Sequence, residues 1–322
     1  MTDGARRSAV VIGRNEGSRL ESALRSVRDS FDEVVYVDSA SSDASPATAA
    51  ACGVAVVELP ADGRLSAARA RNAGFRALHE PSVVLFMDGD CTLEPGFADE
   101  AAEVLATDGV VAVCGTRRER RPERNWLHRV CAVEWRTGGS GDVAAFGGDV
   151  LVDAAAFAAA GGYDEALIAG EDPELSARLR DAGGRIVRLD RSATVHDIDM
   201  TRPGQWWKRA ERAGWAYGAV YRKRRGGDNP MYQREVIRTL VVPVALAVGV
   251  GGLLRGRRWP LALVGVRVLV AGLRAGSSAP APASTMDRVA WGVSCALAPL
   301  PGSVGVVRAL AARSHPELIE YH

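Results

Sequence analysis

In the stretch Val84 to Cys91, VLFMDGDC, an apolar run ends in two aspartates separated by a single glycine. Two carboxylates about 6 Å apart at an effective dielectric near 20 repel by roughly 3 kcal/mol, so positive charge has to offset them. A hard divalent cation is the natural source. Mg2+ and Mn2+ take oxygen ligands, and Mg2+ typically uses one or two carboxylates together with substrate phosphates. Taken alone, Asp88-Gly89-Asp90 reads equally well as a solvated turn, because Asp and Gly are ordinary turn residues.

Other polar groups recur at the ends of apolar segments. VVYVDSASSD, Val34 to Asp43, delivers Asp38 followed by small hydroxyl residues, although a lone Asp there could simply cap the next helix. Arg14-Asn15-Glu16 follows the first apolar run. Glu171-Asp172-Pro173 opens a helical pattern, where acidic residues and an early proline are favoured on local grounds. His196, in TVHDID, suits either a metal or diphosphate contact or a satisfied structural histidine.

The elements that must position these groups are legible from the alternation of short β-branched runs with Ala/Arg/Glu-rich stretches. SAVVIG, EVVYVD, VAVVEL and SVVLFMD read as strands, with helices over residues 17–29, from about 42, and over 65–78. Strands that are apolar without alternation predict a parallel sheet covered on both faces. In such sheets a ligand sits beyond the carboxyl ends of the strands, which here carry Arg14 to Glu16, Asp38-Ser39 and Asp88 to Asp90. Residues 110–190 continue the same domain, with strands VVAVCG and RIVRLD and helices over 154–160 and 171–182.

The segments VVIGRNEG, VVYVDSASSD, LSAARARNAGF, VLFMDGD and GEDPELSARLRDAG, in this order and spacing, resemble family 2 glycosyltransferases of the GT-A fold, of a membrane-associated bacterial type. The resemblance covers about residues 8 to 200. It implies an α/β fold with a mostly parallel sheet, a nucleoside-diphosphate sugar as donor, a UDP-sugar favoured, and Mn2+ or Mg2+ as cofactor. It also implies that Arg14, Glu16 and Asp38 surround the base and ribose, that Arg71 lies near the nucleotide, and that Asp88 and Asp90 form the metal and diphosphate motif. His196 matches histidines that return to the metal. Glu171 and Asp172 match the catalytic carboxylates, with Asp172 as the base that an inverting attack by an acceptor hydroxyl requires. Phe146-Gly147-Gly148-Asp149 resembles the glycine-rich acceptor side, so Gly147, Gly148 and Asp149 are candidate acceptor contacts, although a turn explains the segment nearly as well. Two positions depart from the family pattern: Ser39 stands where an acidic residue is usual, and Ala40 where glycine is usual.

Forty Lys and Arg against 39 Asp and Glu leave no basic field to hold a nucleic-acid backbone. Five scattered cysteines without a CxxC pair fit neither a zinc site nor a disulfide framework, which points to a reducing cytosol. The first apolar run is too short for a signal-peptide core. After Met200 the chain becomes aromatic and basic. Then Thr239 to Leu254 carries no charge, Trp259 to Leu273 is interrupted only by Arg267, and a third apolar run begins near Val289. These runs fit a short spanning hairpin, helices lying in the plane of an anionic membrane, or a buried helical subdomain. Arg209, Arg212, Trp206, Trp207 and Trp215 resemble only loosely the QxxRW segment of processive synthases, and aromatic and basic residues also collect at membrane interfaces.

The expected organisation is a catalytic domain over 1–200, a juxtamembrane segment over 201–235 and an apolar helical region over 236–322. The expected location is the cytoplasmic face of the cell membrane, with a lipid-linked or cell-envelope glycan as acceptor. Two competing expectations are a retaining enzyme acting on a small soluble acceptor and a nucleotide-binding scaffold without turnover, because a fold transfers more safely than an activity.

Overall fold

The structure, a computed structural model, describes residues 6–61 and 65–312. The chain divides into two compact units, one of residues up to Arg120 together with Gly138–Ile198, the other of Arg121–Thr137 together with residues from Asp199 onward.

The first unit runs β1 (Arg7–Gly13), α1 (Ser18–Arg28), β2 (Glu33–Asp38), α2 (Ser45–Ala51), β3 (Ala55–Glu58), α3 (Ala67–Ala77), β4 (Val83–Asp88), β5 (Cys91–Leu93), α4 (Phe97–Leu105) and β6 (Val110–Glu119). After α5 (Trp126–Glu134), which belongs to the second unit, it resumes with β7 (Gly141–Asp142), β8 (Val150–Asp153), α6 (Ala154–Ala159), α7 (Glu171–Asp181) and β9 (Arg185–His196). The strands form one sheet in the order β3-β2-β1-β4-β8-β6-β9-β5, with β7 against β9.

Burial on both faces explains the unbroken apolar strands. Along β1, Ala9 and Val11 join a core with Leu20, Leu24, Phe97 and Ala101 from α1 and α4. Val10 and Ile12 point the other way, into a core with Ala70, Phe157, Leu175 and Leu179 from α3, α6 and α7. Gly74 lets α3 close on the sheet, since a Cβ there would overlap Val10 Cγ1 and lie 2.9 Å from Val37 Cγ2.

The β3-β2-β1-β4 half is parallel. The other half is mixed: β8 runs antiparallel between β4 and β6, and β5 antiparallel to β9, while β6 and β9 are parallel. Because β2 and β4 leave β1 in opposite directions, the switch point that opens a crevice at the carboxyl edge lies between β1 and β4.

The second unit joins α5 to α8 (Pro203–Arg224), α9 (Gln233–Leu254), α10 (Trp259–Ser277), α11 (Thr285–Leu297) and α12 (Pro299–Ala311). Polar pairs tie α5 and α8 to their neighbours: Arg209 to Glu134 at 2.6 Å, Arg129 to Asp287 at 2.8 Å, and Trp206 Nε1 to Ser294 Oγ at 2.9 Å. Glycines let α8 and α12 meet backbone to backbone, as a Cβ on Gly214 would overlap the Gly302 carbonyl. Trp206 and Arg209 therefore work inside this unit, Trp215 is buried in it, and Trp207 stays exposed.

By length and composition, two stretches are apolar enough to cross a membrane: Gln233–Leu254 and Thr285–Ala311, the latter made of α11 and α12. At 1.5 Å per residue the 22 residues of α9 span about 33 Å, near a bilayer's hydrocarbon thickness. The run carrying Arg267 falls within α10, outside those two stretches.

Candidate active site

Every candidate site residue lies in the first unit, at or near the carboxyl edge of its sheet. Asp88 is the last residue of β4, paired with Ile12 of β1, and the turn continues as Gly89 N–H donates to the Ile12 carbonyl at 2.7 Å. Both Asp88 oxygens accept from arginines: Oδ1 from Arg71 Nη2 at 2.9 Å and Oδ2 from Arg117 Nη2 at 2.7 Å. These guanidinium groups hold the Asp88 carboxyl below its usual range, against the opposing effect of burial. Part of the charge that the Asp-Gly-Asp motif demands is thus supplied by the chain itself.

Arg71 comes from α3 and is 2% exposed. Besides Asp88 it reaches Glu171 at 3.1 Å and Asp172 at 3.3 Å, and its guanidinium lies 5.2 Å from the centre of the Tyr163 ring. The Asn72 side chain fixes Tyr163 in turn, donating to its carbonyl at 2.8 Å and accepting from its N–H at 2.9 Å. Glu171 and Asp172 open α7 directly after Gly170, whose positive φ of 86° suits glycine. The helix start and the arginine together fix both carboxylates. Burial pushes the Asp172 carboxyl up to about 7; Arg71 pulls the other way, and Glu171 and Asp88 push it further up.

The neighbouring Asp90 pairs with His196, Oδ2 to Nε2 at 3.1 Å. Strand register makes this contact: His196 ends β9 opposite Cys91 of β5, and the Asp197 N–H donates to the Asp90 carbonyl at 3.0 Å. Burial alone would lower the pKa of His196, but Asp90 and Glu119 outweigh it and raise it to about 9. The same contact holds Asp90 below the usual carboxylate range despite its burial.

The donor-side candidates lie at the ends of β1 and β2, where two loops are laced together. Asn15 N–H donates to Ser41 Oγ, Ser42 N–H to Asn15 Oδ1, and Glu16 N–H to Ser45 Oγ. Glu16 also pairs with Arg19 at 3.0 Å; burial, then Asp90, raises its carboxyl to about 8. Arg14 is half-buried beside it. The Asp38 carboxylate, also on this side, accepts from the Tyr36 and Ser41 hydroxyls and from Ser41 N–H, which fixes it in the wall of the second loop. Ala40 takes φ 56°, the backbone that glycine usually supplies there.

Gly147 is open, whereas Gly148 lies against the charged network: a Cβ there would sit 2.6 Å from Arg117 Nη2 and 2.8 Å from Asp88 Oδ2. Asp149, the third acceptor-side candidate, is buried and accepts from Arg117 Nε at 2.6 Å, from the Thr194 hydroxyl and from the Asp88 N–H, contacts that hold Arg117 in place.

Asp90 and His196 offer an oxygen and a nitrogen aimed at each other, a donor set that fits a divalent cation such as Mn2+. Both oxygens of Asp88, the third candidate ligand, already accept from an arginine, whereas Asp90 and His196 face each other directly.

Residues 8–160 match the model of glycosyl transferase family 2. The chain carries a family 2 glycosyltransferase domain. No curated protein matches it by sequence. A mannosyltransferase from Pyrobaculum calidifontis, solved with GDP-Man and Mn2+, shares the fold at 18% identity and a TM-score of 0.66, covering 97% of this chain and 89% of its own. Glucosyl-3-phosphoglycerate synthase from Mycobacterium tuberculosis, solved with phosphoglyceric acid, aligns at 18% identity and a TM-score of 0.51, covering 67% and 78%.

Two residues of the transferase domain escaped sequence reasoning, Arg117 and Glu119. Both sit in the run TRRERR, which looks like a solvated charged segment. Their spacing of two on a strand was the available signal, since it puts both on one face of β6.

The raised pKa of Asp172 has a consequence for stability. A carboxyl whose folded pKa lies above its usual value, about 3.9, favours the folded state while protonated, and that contribution is lost as the pH rises through about 7. Asp172→Asn should therefore give a transferase whose Tm falls less than the wild type's between about pH 4.5 and 7.5. Thermal denaturation followed by circular dichroism checks this, and parallel falls would reject the assignment.

Proposed function

We propose that this chain transfers a sugar from a nucleoside-diphosphate donor to an acceptor hydroxyl, with inversion at the anomeric carbon. The observation that carries the reading is a partly buried carboxylate, Asp172, poised near neutral pH and fixed by Arg71, on the sheet edge that also carries the Asp90–His196 pair. A general base works best with a pKa near the operating pH. A scaffold has no physical need for so many carboxylates in one place.

Asp90 and His196 would hold the cation. Bound there, Mn2+ or Mg2+ supplies Lewis-acid stabilisation of the charge on the departing diphosphate. Arg71 and Arg117 hold Asp88 and keep positive charge at the edge where the donor's diphosphate lies. Asp172 takes the proton of the acceptor hydroxyl as it attacks. Arg14, Glu16 and the laced loops after β1 and β2 receive the nucleoside. Support for a nucleotide sugar and Mn2+ comes from the mannosyltransferase of the same fold.

Calorimetric titration with UDP and with GDP, each with and without Mn2+, should show metal-dependent binding of one nucleotide, with the metal-dependent part lost in Asp90→Asn and His196→Ala. Asp172→Asn should keep that binding and lose about 10²-fold or more of turnover. Wild-type kcat/KM should rise with pH and level off above about 7, because the base works deprotonated. Turnover unaffected by Asp172→Asn would remove it as the base.

We also propose that the helical unit attaches the enzyme to a membrane on its cytoplasmic face, and that the acceptor is lipid-linked or a cell-envelope glycan. Large apolar side chains stay exposed along α9, α10 and α11, among them Val244, Val248, Leu254, Leu263, Leu269 and Val289. Arg255, Arg257 and Arg258 lie between α9 and α10, where they can meet anionic headgroups. In a density gradient the full chain should float with phosphatidylglycerol vesicles and stay with them in high salt. Remaining at the bottom without aggregating would contradict the attachment.

A further inference from the structure

Glu119 is a carboxylate with a fully buried side chain on the last position of β6. Burying a carboxylate is costly unless something specific compensates for it. One charge beside it is His196, whose Nδ1 lies 3.6 Å from Glu119 Oε2 while its Nε2 lies 3.1 Å from Asp90 Oδ2. The imidazole thus stands between two carboxylates, one facing the proposed cation site and one behind the ring.

The sheet builds this line of three residues deliberately in register. After the irregularities near Cys114 and Thr116, β6 and β9 pair Arg117 with Thr194, Arg118 with Val195 and Glu119 with His196. The Arg120 N–H then donates to the His196 carbonyl at 2.8 Å, and β5 holds the other side of β9 by pairing Cys91 with His196. A shift of one residue in β6 would turn Glu119 to the opposite face of the sheet.

A neutral imidazole has one donor and one acceptor nitrogen, and the partner of the first decides which way the second points. At 3.6 Å from Nδ1 the Glu119 carboxylate favours a proton on that nitrogen, which would free the Nε2 lone pair for a cation held together with Asp90. Metal-binding histidines recurrently use a carboxylate behind the ring in this way, and losing it typically costs 10- to 100-fold in metal affinity.

We propose that Glu119 is a positioning residue that orients His196 for the cation, and so sets the affinity of the site for its divalent metal. The proposal rests on the reading of Asp90 and His196 as cation ligands.

The test is Mn2+ affinity of the full-length protein, measured from the electron paramagnetic resonance signal of free Mn2+, with and without UDP or GDP. Wild type, Glu119→Gln, Glu119→Met and His196→Ala are compared, and metal-free Tm serves as the folding control. The expected result is a Kd for Mn2+ raised about 10-fold or more in Glu119→Gln and further in Glu119→Met. In Mg2+-loaded protein, ¹⁵N spectra of the imidazoles should show His196 protonated at Nδ1 in the wild type, and a changed His196 signature in Glu119→Met. Should Glu119→Met fail to fold, the isosteric Glu119→Gln carries the test. If Glu119→Gln binds Mn2+ within twofold of wild type while His196→Ala binds poorly, Glu119 is structural only and the cation ligands stand. If His196→Ala also binds normally, the cation reading and this proposal fall together.

Discussion

One buried guanidinium gathers carboxylates from distant parts of the chain: Arg71 contacts Asp88 at the end of β4 and both Glu171 and Asp172 at the start of α7. Without it, those carboxylates would be forced together in a poorly hydrated setting, where losing the partner of a buried charge costs several kcal/mol. Arg117 does the same for Asp88 and Asp149, and His196 for Asp90 and Glu119. The negative charge at the sheet edge is therefore divided into bundles, each with its own cation. That division separates the carboxylates chemically. Those beside arginine or His196, Asp88 and Asp90, stay ionised, whereas Asp172, where burial prevails over Arg71, moves toward neutral pH.

The scaffold explains why such bundles can form. Strands buried on both faces leave polar positions only at their ends, and the switch between β1 and β4 brings those ends together. The antiparallel insertion of β8 and the short β5 add what a purely parallel sheet would not: β8 follows directly on Asp149, and β5 pairs with the end of β9 so that His196 meets Asp90.

Much of this was legible in the sequence. The apolar runs up to residue 90 announced their strands because burial on both faces removes alternation, and the motif residues fell at strand ends as that topology requires. Less legible were contacts set by register. One dimension does not show that Asp38 accepts from Tyr36 and Ser41, or Asp149 from Arg117 and Thr194. Glu119 hides in an arginine-rich run, because its partner is 77 residues away and only β6–β9 pairing brings them together. The segment 121–137 reads as part of the first domain, but α5 packs with the later helices through Arg129–Asp287 and Glu134–Arg209.

The most direct test of the account is anomalous diffraction from crystals of the full chain soaked with Mn2+ and either UDP or GDP. One anomalous peak should lie within coordination distance of Asp90 and His196, with Asp88 still held by Arg71 and Arg117 and the nucleotide's phosphates beside the ion. A nucleotide bound at the edge of β1 and β2 with no ion, or an ion held elsewhere, would contradict it.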